Sequence, residues 1–212
     1  MNKGVFISIE GIEGAGKTTL INGLQDITIP NYQVIFTREP GGTNLAEKIR
    51  LLLTSFENKE MDALTELLLV YASRNEHIKN VIRPALEDGH VVISDRFYDA
   101  SYAYQAYGRH LDPNILKQLD QWVVKNCIPD LTILLTAPVD QCLERVFERG
   151  NRDRFDSESA GFFAATHRGY SKRAEEDPNR FHIFSSVNNE DTMSEEIKKI
   201  IIQKVKACSQ NV

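Results

Sequence analysis

The chain has 212 residues, 42% hydrophobic and 26% charged, with 25 Lys+Arg against 30 Asp+Glu and a formal net charge of −5. That length predicts a single domain spanning residues 1–212 with a sizeable core, which excludes a disulfide-stapled mini-protein. The acidic balance excludes a nonspecific nucleic-acid binder, so any polyanion must be held by locally gathered arginines. Cys127, Cys142 and Cys208 have no C-x-x-C spacing and suggest neither a disulfide framework nor a zinc site. The apolar stretch at 5–9 is too short for a signal segment or a membrane span. A cytoplasmic protein with no membrane partner and no nucleic-acid partner is expected.

In chain order, short apolar runs at 5–9, 33–37, 91–94, 131–136 and 181–184 read as strands. Between them, Leu45, Ile49 and Leu52, then Leu64, Leu67, Leu68 and Tyr71, then Leu116, Leu119 and Val123 recur at helical spacing. Strands alternating with helices predict an α/β fold with a mainly parallel sheet, and the unbroken run Val91-Val92-Ile93 predicts burial on both faces. Residues 149–159 offer almost nothing to a core and form a polar, charge-dense loop. Helical composition then returns to about Glu176, Asp177-Pro178-Asn179 marks a turn, and 194–206 closes the chain as an amphipathic helix. Trp122 is expected in the core or at an interface.

The first strand runs into Gly11-Ile12-Glu13-Gly14-Ala15-Gly16-Lys17-Thr18, which fits G-x-x-x-x-G-K-[ST] at every fixed position. Glycine lets successive backbone N–H groups turn toward phosphate oxygens where a Cβ would obstruct them. Lys17 reaches the β/γ-phosphates, and the Thr18 hydroxyl is placed to ligate Mg²⁺. The motif indicates nucleoside triphosphate binding. It does not say what receives the phosphate.

Ligands of open α/β sheets sit beyond the carboxyl ends of the strands. There the chain carries Thr37-Arg38-Glu39-Pro40-Gly41-Gly42-Thr43 and Asp95-Arg96-Phe97. Asp95 is a Walker-B-like acid able to hold Mg²⁺ or its waters; the plainer alternative is a helix cap with Arg96 as its surface partner. Glu13 is unusual, because a carboxylate beside a triphosphate costs repulsion. It either accepts a hydroxyl of a second substrate or faces solvent. Arg50 and Arg74 lie on predicted helices near core positions, as ligand-binding or as ion-paired arginines. His77, His90, His110, His167 and His182 show no metal-ligand spacing.

Taken with Tyr71-Ala72-Ser73-Arg74, Ala103-Tyr104-Gln105 and Asp153-Arg154-Phe155-Asp156-Ser157-Glu158-Ser159, these motifs resemble the series of bacterial thymidylate kinases over nearly the whole chain. The resemblance implies a three-layer α/β/α P-loop kinase fold with a five-stranded parallel sheet, ATP·Mg²⁺ as donor, dTMP as acceptor, and a homodimer. It places Glu13 at the acceptor's 3′-hydroxyl, Arg50 and Arg96 on its phosphate, and Arg74 at the thymine O4. Ser101 faces the base, and Tyr104 crowds the 2′ position. The loop 149–159, with Arg149, Arg152 and Arg154, matches a mobile lid, and Gly150 is a plausible hinge.

Because the phosphate loop has no arginine of its own, the resemblance is to the subclass in which lid arginines supply the transition-state charge, which implies Arg152 and Arg154 beside Lys17 and Arg96 in the catalytic set. Thr18 and Asp95 are the expected metal ligands. The chain departs from the family at Val70, where a phenylalanine usually stacks on the thymine, so that Tyr71 or Phe97 would have to supply a ring. It departs also at Ala100, a commoner serine, and at Thr136, frequently an acid. Val70 keeps open a related kinase acting on another deoxynucleotide. A nucleotide-dependent binding switch is the alternative from a different class, against which the arginine set speaks.

Overall fold

The computed structural model describes residues 4–150, 153–187 and 190–210. Five strands, β1 (Val5–Glu10), β2 (Val34–Arg38), β3 (Val91–Asp95), β4 (Leu131–Thr136) and β5 (Phe181–Ser185), form one sheet in the order β2-β3-β1-β4-β5. Every pairing is parallel, and the register sets Ile7 beside both Ile93 and Leu131. Each strand lies within one residue at either end of its apolar run. β1, at the centre, is buried along its whole length.

Parallel strands need crossovers, and the helices that supply them cover both faces. They are α1 (Lys17–Leu24), α2 (Asn44–Thr54), α3 (Ala63–His77), α4 (Arg83–Glu87), α5 (Tyr98–Ser101), α6 (Pro113–Trp122), α7 (Val139–Arg149), α8 (Ala160–Glu176) and α9 (Glu190–Gln210). Alternate residues of β1 feed different layers. Val5, Ile7 and Ile9 pack with Leu20 and Leu24 of α1 and with Ile197, Ile201 and Val205 of α9. Phe6 packs on the other face with Leu67 and Tyr71 of α3 and with Phe97. Polar residues on that second face are satisfied in place: Ser8 and Thr132 share a hydrogen bond of 2.9 Å.

Helix starts follow local chemistry. Thr43 accepts from Ala46 N, Asp62 from Leu64 N and Thr65 N, and Ser159 from Phe162 N, each at the head of its helix. Two stretches widen to π-helix, Ile78–Ile82 after α3 and Tyr102–Gly108 after α5, and no residue pattern announced them. The helical periodicity is real, but part of it faces outward. Leu67, Tyr71 and Leu116 are buried, while Leu45, Leu52, Leu64 and Leu68 are exposed. Trp122 is not in the core; it is 69% exposed.

Candidate active site

After β1 the chain turns through Gly11, Gly14 and Gly16, with φ of 145°, 76° and 90°, and enters α1 at Lys17. A Cβ at Gly14 would lie 2.2 Å from the Cys142 carbonyl oxygen, and one at Gly11 2.6 Å from that of Leu135. Glycine is therefore required twice over, by conformation and by the approach of α7 and β4. Ile12 and Ala15 are buried and root the loop in the core. Lys17 Nζ donates to the carbonyls of Gly11 and Ile12 at 3.0 Å each. Burial, and then the neighbouring Arg96, push its ammonium down to about 8.

Thr18 is exposed at the mouth of the loop. Asp95, the last residue of β3, lines the same cleft and holds a buried Oδ1 with no hydrogen-bond partner. An orphaned carboxylate oxygen beside a hydroxyl and a phosphate loop fits Mg²⁺ or one of its waters. Among the described residues no group of three or more His, Cys, Asp or Glu is arranged to hold a metal. Phosphate oxygens of the nucleotide would have to complete the coordination shell.

Arg96 follows β3 with φ 67°, a conformation uncommon for a residue with a Cβ. Its N–H donates to Ile9 O at 2.9 Å, and the resulting turn aims its side chain back at the phosphate loop. Nη1 donates to Gly11 O at 2.8 Å and to the Tyr170 hydroxyl at 2.9 Å, and Nη2 to Glu13 Oε1 at 2.7 Å. The Tyr104 hydroxyl donates to Glu13 Oε2, and the Arg96 guanidinium lies over the Tyr104 ring at 4.9 Å. Burial alone would raise the Glu13 carboxyl, but Arg96 and Lys17, with the Tyr104 hydrogen bond, hold it below its ordinary range. Behind this layer Tyr170 donates to Glu10 Oε2 at 2.9 Å, and burial with nearby Asp99 pushes Glu10 up to about 8.

Beside the loop, between α3 and the π-helical stretch, is a cleft of about 550 Å³ walled by Val70, Arg74, Phe97, Ser101, Tyr104 and Gln105 and capped by Phe155. The wide π-turn presents Tyr104 and Gln105 to this cleft, a common use of such segments. Arg74 is fully buried and donates to Glu39 Oε2 at 2.7 Å, Ser101 Oγ at 2.9 Å and Phe97 O at 3.2 Å. His77 joins the other Glu39 oxygen at 3.0 Å, so the guanidinium plane is fixed. Its ion-paired character and its place on a ligand cleft coexist. Tyr71 is turned away, its hydroxyl 2.7 Å from Asp120 Oδ1; of the two rings named for base stacking, only Phe97 lines the cleft.

A second cleft, about 970 Å³, is lined by Gly14, Gly16, Lys17, Thr18, Asp95, Arg145 and Arg149. The two clefts share Glu13, Arg50, Arg96 and Asp153. Arg50 donates to Pro40 O at 3.0 Å and, among the described residues, makes no ion pair. Burial, then the cations Arg38 and Arg96, lower its guanidinium pKa. Of the shared residues, Arg96 is paired with Glu13 while Arg50 has no ion pair among the described residues, so a cation is left facing the opening, which suits a polyanion.

The thymidylate kinase family model matches residues 9–197. The chain is 45% identical to the thymidylate kinase of Vesicomyosocius okutanii over 202 residues, 95% of this chain and 98% of that one. It is 39% identical to that of Mycoplasma capricolum over 205 residues, 95% and 96% of the two chains. A crystal structure of thymidylate kinase from Ehrlichia chaffeensis superposes with a TM-score of 0.74 at 31% identity, covering 94% of this chain and 98% of the other. The chain belongs to the thymidylate kinase family.

For a thymidylate kinase the placement of the expected residues is informative. Glu13, Lys17, Thr18, Arg50, Asp95 and Arg96 meet around the phosphate cleft, and Val70, Arg74, Ser101 and Tyr104 around the other. Arg152 lies outside the described residues. Arg154 is placed apart from them: it is buried against α3, its Nη2 2.7 Å from Glu66 Oε2, and it does not line the phosphate cleft. A buried carboxylate in the first turn of a helix holds an arginine more firmly than an open loop does.

Sequence reasoning missed Arg145, which donates to Gly14 O at 3.1 Å and to Ser186 Oγ at 3.2 Å. Its i, i+4 spacing from Arg149 on α7 was the available signal. It missed Tyr170 and Phe155 also, whose roles depend on partners distant in sequence. At Thr136, where the family frequently has an acid, the hydroxyl shares a 2.9 Å hydrogen bond with His167 Nε2.

Proposed function

We propose that this chain transfers the γ-phosphoryl group of ATP to dTMP, giving dTDP. The observation that carries the reading is the shared wall: Arg50 and Arg96 face both clefts, so a donor at the phosphate loop and an acceptor in the neighbouring cleft would meet between them. The transition state of phosphoryl transfer is loose, and catalysis is mainly positioning and charge neutralisation. Lys17 exchanges its loop carbonyls for phosphate oxygens. Arg96 and Arg50 align the acceptor phosphate, which is ionised at neutral pH and needs no general base. Glu13, held by Arg96 and Tyr104, accepts the acceptor's 3′-hydroxyl, and the Tyr104 ring crowds the 2′ position. Arg74 and Ser101 read the base.

Thr18 and Asp95 would hold Mg²⁺, which when bound would neutralise charge on the transferred group. Arg149, with Arg152, adds positive charge from a lid at 149–159. Gly150 serves as its hinge: it has φ 71°, and nothing lies within 4 Å of where a Cβ would sit. The experiment is a panel of dTMP, dUMP, dCMP and dGMP with ATP·Mg²⁺. Turnover of dTMP above the others is expected; calorimetric binding of ATP with no transfer to any monophosphate would turn the reading to a nucleotide-dependent switch.

The exposed Leu45 and Leu52 of α2 and Leu64 and Leu68 of α3 form an apolar face that suits a homodimer. Sedimentation velocity at micromolar concentration is expected to give twice the chain mass, and a monomer mass would refute it. No helix among the described residues is long and apolar enough to cross a membrane, and a cytoplasmic location suits an enzyme drawing on ATP.

A further inference from the structure

The loop that follows Gly150 is stitched to the acceptor side of the molecule by a chain of charges. Arg154 Nη2 meets Glu66 Oε2 at 2.7 Å, Arg109 Nη2 meets the same oxygen at 3.1 Å, and Arg109 also pairs with Glu158 at 2.5 Å. Both ends of the chain, Arg154 and Glu158, belong to the loop. The middle, Glu66 and Arg109, belongs to the body. Glu66 is fully buried and Arg154 is 2% exposed, while Arg109 and Glu158 reach the surface, so the network of two arginines and two glutamates has no net charge and is buried at its Glu66–Arg154 end.

Glu66 has a third client. Its Oε1 accepts from Gln105 Nε2 at 2.9 Å, and Gln105 lines the acceptor cleft. Arg154 also reaches α2: its N–H donates to Thr54 O at 3.1 Å and its Nε to Leu53 O at 2.8 Å, closing the last turn of the helix that carries Arg50. The Arg154 guanidinium lies 4.5 Å over the Phe155 ring, which caps the cleft. One carboxylate thus holds a cleft-wall amide and the arginine that pins the cleft's roof.

We propose that Glu66 is a positioning residue: its pairing with Arg154 latches the loop 153–159 over the acceptor cleft, so that acceptor binding and closure of this loop favour each other. This rests on the dTMP reading of the cleft and assigns Arg154 to the latch in place of the transferred phosphate. Coupling of this kind is reciprocal, because whatever closure gives to acceptor affinity the acceptor returns to closure.

The test uses the full chain with Glu66→Gln, Arg154→Met and the double variant. Arg154→Met keeps an unbranched apolar stem in the slot and leaves Glu66 paired with Arg109, so it keeps the proposal testable if Glu66→Gln fails to fold. Hydrogen exchange of residues 153–159 is read with and without dTMP, alongside KM and kcat. Expected is exchange at least about tenfold faster in each variant, a KM for dTMP raised about tenfold with KM for ATP within about twofold, and a double variant no worse than either single. Unchanged exchange would overturn the latch. A kcat reduced about a thousandfold with KM for dTMP unmoved would also overturn it, returning Arg154 to the transition state. A wild-type chain that leaves dTMP unphosphorylated would refute the acceptor assignment instead, while the exchange of the unliganded loop would still report on the latch.

Discussion

Arg96 Nη2 stands 2.7 Å from Glu13 Oε1, a charge pair between the end of β3 and the interior of the phosphate loop. The pair explains how a carboxylate is tolerated beside a triphosphate: its charge is directed at the arginine and at the Tyr104 hydroxyl. Because Arg96 also holds Gly11 O and Tyr170, a single ammonium cannot replace its fork. Arg96→Ala and Arg96→Lys are both expected to lower kcat/KM for dTMP by roughly 10²–10³. Steady-state assays giving either variant activity within about tenfold of wild type would remove Arg96 from the machinery.

The phosphate loop tolerates no side chain at Gly14, where the new methyl would meet the Cys142 carbonyl at 2.2 Å with φ at 76°. Gly14→Ala should weaken ATP binding about a hundredfold or more by calorimetry, through displacement of the loop rather than loss of a contact. Gly161, inside α8 and 3.7 Å or more from any neighbour of its absent Cβ, is the matched control. Gly161→Ala should leave ATP binding intact and raise stability by about 0.4–1 kcal/mol. Equal ATP affinity in the two variants would contradict this account of the loop.

Glu10 gives the fold a pH signature. Burial, then Asp99, raise its carboxyl from 4.5 to about 8, so across that interval the folded chain binds more proton than the unfolded one. Its contribution to stability is fully present below about pH 4.5 and declines until the pH passes about 8. Glu10→Gln keeps an acceptor for Phe97 N and removes the titration. Urea midpoints at pH 5 and pH 8 should therefore lie closer together in the variant than in wild type; an unchanged gap would mean that Glu10 does not titrate there.

Val70 leaves the acceptor cleft without the ring that the family usually places at that position, and Phe97, Tyr104 and Phe155 are the rings that line it instead. Val70→Phe should lower KM for dTMP by about three- to tenfold, the lower end of what one base–aromatic stack contributes. A raised KM would show that Phe97 and Phe155 already fill the space the base needs.

The parts of this fold that were legible in the sequence are those set by local chemistry. A strand buried on both faces shows as an unbroken apolar run, and the glycines of the phosphate loop are dictated by backbone conformation. Arg96 was legible because it follows a strand end. Illegible were contacts that exist only once the chain is folded: Arg145 on Gly14, 131 residues apart, and Arg154 on Glu66, 88 apart. Composition marked 149–159 as polar and charge-dense, and the family resemblance marked it as a lid, yet the buried Glu66 that receives Arg154 looks in the sequence like any surface glutamate of a first helical turn. The periodic apolar residues of α2 and α3 show that a helix forms but not what covers each face: Leu67 and Tyr71 are buried, whereas Leu45, Leu52, Leu64 and Leu68 are exposed.

Helix α2 ends on a side chain that does not belong to it. The carbonyls of Leu53 and Thr54 are satisfied by Arg154, a residue about a hundred positions further along the chain. If that loop lifts as the latch implies, the carbonyls of Leu53 and Thr54 would lose their donors together and turn to water instead. On the latch proposed above, opening for substrate would therefore be felt at a helix end as well, three helical positions from Arg50, and its cost would not be set in the loop alone.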